Sequence, residues 1–178
     1  MTAQQTREKI LDALEKVLVQ DGPQAVTLEA VAKSAGVSKG GLLYHFGSKQ
    51  ELIGGLVDRL AEVTDKEIAE ARTGQQSVAR WFLETSVPGP EDEMSLYWSV
   101  IAVLRTADGA EDSVSKRIES IFTHWIDALH DEVKDPVLAE TIRLVGDGLF
   151  LSAVAGLPVP DEALMRKVFD RLLSQLEA

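Results

Sequence analysis

Apolar side chains recur every three or four residues along the whole of this chain, which is the spacing of an amphipathic helix. The first such stripe consists of Ile10, Leu14, Val17 and Leu18, and a glycine–proline pair follows it. We find no convincing strand-like alternation, internal repeat or low-complexity tract. The sequence therefore predicts an all-α fold of about nine helices, with an N-terminal head of three helices and a C-terminal helical bundle.

Residues that favour helix starts and stops separate the first four helices. Thr27 is a favourable N-cap for helix two, and Gly36 supplies the left-handed residue that ends it. Ser38 caps a short third helix. Ser48, with Glu51 three residues later, has the spacing of a capping box and predicts the start of a long fourth helix.

Six further stripes predict the inward faces of helices four to nine. They are Leu52, Leu56, Leu60 and Val63; Val78, Trp81 and Phe82; Met94, Tyr97, Trp98, Ile101 and Leu104; Val114, Ile118, Ile121, Phe122, Trp125 and Leu129; Leu138, Ile142, Val145, Leu149 and Ala153; and Met165, Val168, Phe169, Leu172 and Leu176. Asp135 followed by Pro136 predicts the start of helix eight, because proline is tolerated at the first helical position.

The charge of the chain is unevenly distributed. Residues 1–50 carry six Lys and Arg against five Asp and Glu, whereas the rest of the chain carries 12 against 24. A small basic head on an acidic body suits nucleic-acid binding. The alternative is that the chain is acidic simply because acidic chains are soluble.

The composition also excludes several kinds of site. The chain has no cysteine, so disulfides and thiolate metal sites are impossible. No apolar run approaches the roughly 18 residues of a membrane span, and the polar start lacks the apolar segment of a signal peptide. We therefore expect a cytoplasmic protein without a metal site or cofactor.

Residues 38–51 form the most informative segment, because they combine basic, aromatic and glycine residues with almost no acid. Helix two, the tight turn at 35–37 and helix three have the order of a helix-turn-helix, whose second helix can enter the DNA major groove. Leu42 and Phe46, four residues apart, can face inward. The outward face then consists of Lys39, Gly40, Leu43 and Tyr44.

Two consecutive glycines, Gly40 and Gly41, weaken helix three by roughly 0.8–1 kcal/mol each relative to alanine. Close approach of the backbone to a duplex would explain them, because no Cβ stands in the way. Tight packing of helix three against helix one is the alternative explanation.

The order and spacing of residues 6–56 extend this pattern. The characteristic segments are Ile10–Leu14, Gly22, Thr27–Ala32, Ala35–Gly40, Leu43–Phe46 and Lys49–Leu52. In these segments the chain resembles the TetR family of bacterial transcriptional regulators. The resemblance implies a homodimeric repressor whose two third helices bind a palindromic DNA operator. A small molecule bound in the C-terminal bundle would release the repressor.

The resemblance also assigns DNA contacts by position. Phosphate contacts fall on Thr27, Ser38, Tyr44, His45 and Lys49, and contacts to bases or adjacent phosphates fall on Lys39, Gly40 and Gly41.

Two positions depart from the family pattern. Gly41 has no side chain for base reading, and Leu43 stands where many members have threonine or an aromatic residue. Base reading would then depend on Lys39, on apolar contact between Leu43 and thymine methyl groups, and on DNA shape.

The assigned residues also have structural explanations. His45 could be packed at the helix end, Tyr44 could belong mainly to the core, and Lys49 could be an idle surface lysine.

The predicted domains are a helix-turn-helix DNA-binding domain of residues 1–48 and a ligand-binding and dimerisation domain of residues 49–178. Aromatic stripes in the second domain usually form core, although helical bundles also line ligand pockets with such residues. The candidate ligand contacts are Trp81, Tyr97, Trp98, Ile101, Arg105, Phe122, Trp125 and Asp147.

The last two helices are the expected dimer interface. Small residues, among them Gly146 and Gly148, would let helices approach closely, and leucine and phenylalanine supply apolar area. Two heads on a twofold axis would then reach half-sites roughly 34–36 Å apart.

Two other functions stay open at this point. An enzyme is disfavoured because the chain has no His-x-x-x-His pair, phosphate loop or nucleophile elbow. A mixed group of His124, Asp127, His130 and Asp131 on one helix is more typical of a solvated face. The second alternative is a constitutive DNA-binding regulator that has no small-molecule ligand.

Overall fold

The structure, a computed structural model, describes residues 2–74, 76–87 and 112–176. Eight α-helices lie in these ranges: α1 (Ala3–Asp21), α2 (Leu28–Ala35), α3 (Lys39–His45), α4 (Lys49–Thr73), α5 (Val78–Thr85), α6 (Asp112–Glu132), α7 (Pro136–Val154) and α8 (Glu162–Leu173). No strand occurs in them, and the all-α prediction is confirmed. The helix predicted around residues 94–104 lies outside the described residues.

The start signals of α4 and α7 act as the sequence predicts. The Ser48 hydroxyl accepts a hydrogen bond from the Glu51 N–H at 3.0 Å, and the Glu51 carboxylate accepts one from the N–H of Gly47. The carboxylate therefore reaches one residue further back than in the usual capping box. Asp135 caps α7 by accepting from the N–H of Val137 at 2.9 Å.

The described residues form two compact units. The first contains residues 2–63 and 112–120, and the second contains residues 64–87 and 121–176, apart from residue 75. The core of the first unit contains fully buried leucine, isoleucine and valine side chains from α1, α2, α3 and α4. They are Ile10, Leu11, Leu14, Val31, Leu42, Leu52 and Leu56.

Arg59 joins α4 to α1 within the first unit. Its guanidinium donates to the backbone oxygen and the carboxylate of Glu8 at 2.9 and 2.8 Å and to the carboxylate of Asp12 at 2.7 Å. A third acid of α1, Glu15, lies 3.6 Å away. Since residues 8, 12 and 15 share one face of a helix, a single guanidinium can contact all three carboxylates, and its one positive charge offsets one of their three negative charges.

The second unit packs α5, α7 and α8 around an aromatic pair. The rings of Phe82 and Trp125 lie 5.5 Å apart at an angle of 53°. Gly146 of α7 is buried here, because a Cβ at that position would lie 2.4 Å from Cε1 of Phe82. The glycine therefore serves close packing within the chain, whereas Gly148 is exposed and a Cβ there would meet no atom of the described residues within 4 Å.

Two predicted core positions are wrong. Val63 is 36% exposed, because the buried stripe of α4 continues from Leu60 to Thr64, four residues on. Phe122 is 45% exposed, because the buried arc of α6 passes through Ile118, Ile121 and Trp125 and Phe122 lies just beside that arc. None of the helices in the described ranges is long and apolar enough to cross a membrane.

Adjacent glycines on α4 provide a matched pair for testing the packing of the first unit. A Cβ on Gly55 would lie 2.6 Å from Cε1 of the buried Phe46 ring, whereas a Cβ on Gly54 would lie 3.4 Å from the guanidinium of Arg117, which is an ordinary contact distance. Gly55→Ala should therefore lower the free energy of unfolding by about 1–3 kcal/mol through overpacking. Gly54→Ala should be neutral or stabilising by up to about 1 kcal/mol, because alanine favours the helix.

Urea unfolding followed by circular dichroism measures both variants. Equal effects of the two substitutions would contradict this account of the contact between α4 and Phe46.

Candidate nucleic-acid interface

The geometry of the helix-turn-helix follows from three residues. The Thr27 hydroxyl accepts a hydrogen bond from the Ala30 N–H at 3.0 Å and so caps α2. Gly36 ends α2 in the left-handed conformation, at φ 61° and ψ 36°. The Ser38 hydroxyl then caps α3 by accepting from the N–H of Gly41 at 3.0 Å.

Both cap hydroxyls keep a donor for a further partner. A serine or threonine hydroxyl has one O–H donor and two acceptor lone pairs, and the capping bond uses only an acceptor. Thr27 and Ser38 are both exposed. Each can therefore donate its proton to a phosphate oxygen without releasing its helix.

The inner face of α3 is fixed in the core of the first unit. Leu42 is fully buried and Phe46 is nearly so. The Phe46 N–H also donates to the Leu42 carbonyl at 2.9 Å, and the Arg7 guanidinium lies 5.2 Å from the centre of the Phe46 ring. These contacts hold α3 in one rotation about its axis.

The outer face of α3 is exposed to solvent. Lys39, Gly40, Leu43 and Tyr44 are all exposed, as the sequence predicts, and Tyr44 reaches 82%. Tyr44 is therefore not a core residue of the first unit. Its ring meets that of His45 edge-on at 5.2 Å, and His45 is half-buried.

The glycine pair is not explained by packing within the chain. Among the described residues, a Cβ on Gly40 would meet no atom within 4 Å, and one on Gly41 would meet only the neighbouring Ser38 and Val37 side chains. Tight packing against α1, the alternative raised by the sequence, is therefore wrong. Gly40 leaves a stretch of α3 backbone open to the surface.

Charged groups at this surface are mostly cationic. Lys49 begins α4 and is exposed, and Lys33 in the last turn of α2 is exposed too. Lys39 differs, because its ammonium group donates to the Glu29 carboxylate at 2.5 Å. That hydrogen bond and the lysine charge lower the pKa of the Glu29 carboxyl. Sequence reasoning missed this pair.

The candidate ligand residues that the structure describes occupy different environments. Trp125 is buried against Phe82, Trp81 is half-buried and Phe122 is exposed. Asp147 is exposed and pairs with Arg143 at 2.6 Å, which explains an acid between two glycines. Neighbouring protein atoms exclude water from one side of the Asp147 carboxyl and so raise its pKa, and the charge and hydrogen bond of Arg143 oppose that shift. Tyr97, Trp98, Ile101 and Arg105 lie outside the described residues.

Two polar groups of the second unit are buried without a hydrogen-bond partner in the described parts of the chain. They are the Thr64 hydroxyl and the Trp81 indole N–H. A separate open groove of about 680 Å³ lies between residues such as Ser77, Arg80 and Glu132, and none of the candidate ligand residues lines it.

The mixed group of histidines and aspartates on α6 is divided among separate partners. His124 pairs with Asp65 at 2.8 Å and His130 with Glu140 at 3.1 Å. Asp131 pairs with Arg72 at 2.7 Å. Within the described ranges, no three His, Asp or Glu side chains are grouped as a metal site requires.

Comparison with known proteins agrees with this geometry. Residues 10–56 match the model of the bacterial regulatory proteins of the tetR family, and residues 76–177 match the tetracyclin repressor-like C-terminal domain. The regulator TtgR of Pseudomonas putida is 37% identical over 76 residues, which cover 43% of this chain and 36% of TtgR. The match thus spans about a third of that relative.

Solved structures share the fold over nearly the whole chain. A transcriptional regulator from Saccharomonospora viridis, in complex with choline, has a TM-score of 0.75 at 19% identity and covers 96% of both chains. The multidrug binding protein EbrR, complexed with malachite green, has a TM-score of 0.71 at 24% identity, over 93% of this chain and 96% of EbrR.

The family models together account for most of the sequence, and the segment they place first contains the capped helix-turn-helix described above. The chain therefore belongs to the TetR family of bacterial regulatory proteins.

Proposed function

We propose that the chain is a homodimeric repressor that binds a palindromic operator through α3 and leaves it when a small molecule binds the second domain. The observation that carries the proposal is the bare outer face of α3 above the buried Leu42. The domains are residues 1–48 for DNA and 49–178 for ligand and dimerisation, and the protein acts in the cytoplasm.

The DNA contacts follow the chemistry of the exposed groups. Thr27 and Ser38 donate hydroxyl protons to phosphates, and Lys49 supplies charge. Tyr44 contacts the DNA backbone with its hydroxyl group and its ring, and His45 supplies a further hydrogen-bond donor to a phosphate. Lys39, Gly40, Gly41 and Leu43 lie closest to the base edges, where Leu43 can contact a thymine methyl group.

Selection of duplexes from a randomised pool with the purified protein tests the DNA-binding half of the proposal. We expect a palindromic site. Tyr44→Ala should weaken binding to that site by at least about tenfold, or 1.4 kcal/mol. The fold should persist, because exposed substitutions change stability by no more than about 0.5 kcal/mol.

Phe122→Ala, which removes an exposed aromatic ring from the second unit, is the matched control and should bind normally. Recovery of no enriched sequence would reject the proposed function.

Dimerisation is supported by an apolar stripe on α7. Val137, Leu144 and Leu151 are 73%, 60% and 63% exposed and lie seven residues apart, on one face of the helix. Gly148 lies on the same face, where a Cβ would meet no atom of the described residues within 4 Å, and Leu164 of α8 is also exposed. A second copy of the chain is the occupant that we propose, since exposed stripes of this kind typically mark association.

Leu144→Glu should convert the dimer to a folded monomer, because a charge would lie in the apolar contact between the copies. Light scattering after size-exclusion chromatography gives the mass. Val19→Glu, at another exposed apolar position, should leave the mass unchanged. A dimeric Leu144→Glu variant would show that the copies meet elsewhere.

An effector site in the second unit is supported by two buried polar groups that have no hydrogen-bond partner among the described residues. A buried donor or acceptor without a partner costs about 1–3 kcal/mol, and the Thr64 hydroxyl and Trp81 indole N–H are both in that condition within the described residues. A bound molecule could satisfy them. The choline and malachite green complexes of structural neighbours also favour a small-molecule effector.

Tryptophan fluorescence across a panel of small molecules that includes choline and malachite green tests this part. We expect at least one compound to change the emission and to dissociate the selected duplex, with a weaker effect on Trp81→Phe. If no compound does both, the constitutive regulator without a ligand is the better description.

A further inference from the structure

The ion pair between Glu29 and Lys39 is the starting point. Glu29 lies in the first turn of α2 and Lys39 is the first residue of α3, so the pair crosses the turn of the helix-turn-helix. The two side chains are 65% and 53% exposed, and their charged atoms lie 2.5 Å apart. An exposed pair contributes little to stability.

The pair changes what the outer face of α3 offers to DNA. Lys33 and Lys49 have no acidic partner in the described parts of the chain, so they are available to any phosphate. Lys39 is available only if it leaves Glu29 or shares its protons with it. An ammonium group has three donors, and the contact with Glu29 uses one of them.

We propose that Glu29 is a specificity-determining residue, which withholds Lys39 from phosphates and aims it at the base edges. This inference rests on the proposed function. On an arbitrary duplex, affinity comes from phosphate contacts. On such a duplex, Glu29 competes with the DNA phosphates for the ammonium group of Lys39. Its carboxylate is also repelled by the negatively charged DNA backbone. Non-specific binding is weakened as a result.

On the operator the same pair is favourable. Glu29 fixes a long flexible side chain, and the two remaining donors of Lys39 can reach acceptors such as guanine O6 and N7. Pre-ordering the lysine reduces the entropy lost on binding. Glu29 therefore supports the correct partner and opposes the wrong ones, which is how specific interfaces discriminate.

Glu29→Gln is the test, with Glu62→Gln as the matched control. Glu62 is an exposed acid of α4 in the same unit and has no cationic partner among the described residues. Both substitutions remove one negative charge. Binding is measured by fluorescence anisotropy, on a labelled duplex of arbitrary sequence and on the selected operator, over a range of salt concentrations.

We expect Glu29→Gln to raise affinity for the arbitrary duplex severalfold and to leave operator affinity unchanged or lower. The slope of log K against log salt on the arbitrary duplex should steepen by about 0.9 for each subunit, because Lys39 then neutralises a phosphate. In a Lys39→Ala background the same substitution should not steepen the slope. Equal effects of Glu29→Gln and Glu62→Gln, or an unchanged ratio of operator to arbitrary affinity, would overturn the proposal.

A pH titration of the Glu29 carboxyl carbon by NMR tests the premise on the wild-type fold. The carboxyl should titrate below its ordinary range and return toward that range in Lys39→Ala. An unchanged titration would mean that the pair does not exist in solution, and the proposal would fail.

The two proposals fail in distinguishable ways. If selection yields an operator but Glu29→Gln behaves as Glu62→Gln does, only the role of Glu29 is rejected. If selection yields no operator, the proposed function is rejected, whatever the salt slopes show.

Discussion

Phe46 is the point where three helices of the first unit meet. Its ring is buried, the guanidinium of Arg7 from α1 lies over it, and α4 passes it at Gly55. The glycine matters because any larger residue would bring a Cβ to 2.6 Å from the ring. Because Phe46 is held between α1 and α4, α3 is fixed against rotation about its own axis. The face of α3 opposite Leu42 therefore stays directed outward.

Helix boundaries were predictable from the sequence because they depend on neighbouring residues. Thr27, Ser38 and Gly36 each act through the three or four residues beside them, and each has its expected role. Helix faces were less predictable at their edges. A stripe of period 3.6 drifts against any whole-number spacing, so Val63 and Phe122 fall just outside the buried arc.

Contacts between helices were not predictable, because they require the helices to be placed first. The pair between Glu29 and Lys39 spans ten residues and a turn. The spacing of the acids at positions 8, 12 and 15 predicts an acidic face on α1 that a cation would stabilise. Nothing in that spacing identifies Arg59, which lies more than forty residues away in the sequence, as the cation.

The ion pairs of Arg59 and Lys39 affect how this acidic protein interacts with the negatively charged DNA. Four of the five acids in residues 1–50 are engaged by Arg59 or Lys39. The lysines at positions 9, 16, 33 and 49 have no acidic partner within the described residues. Electric fields fade within about 8 Å at physiological ionic strength. A duplex close to residues 1–50 therefore experiences mainly the local charge of that segment, six Lys and Arg against five Asp and Glu, and much less of the total charge of −11 on the chain.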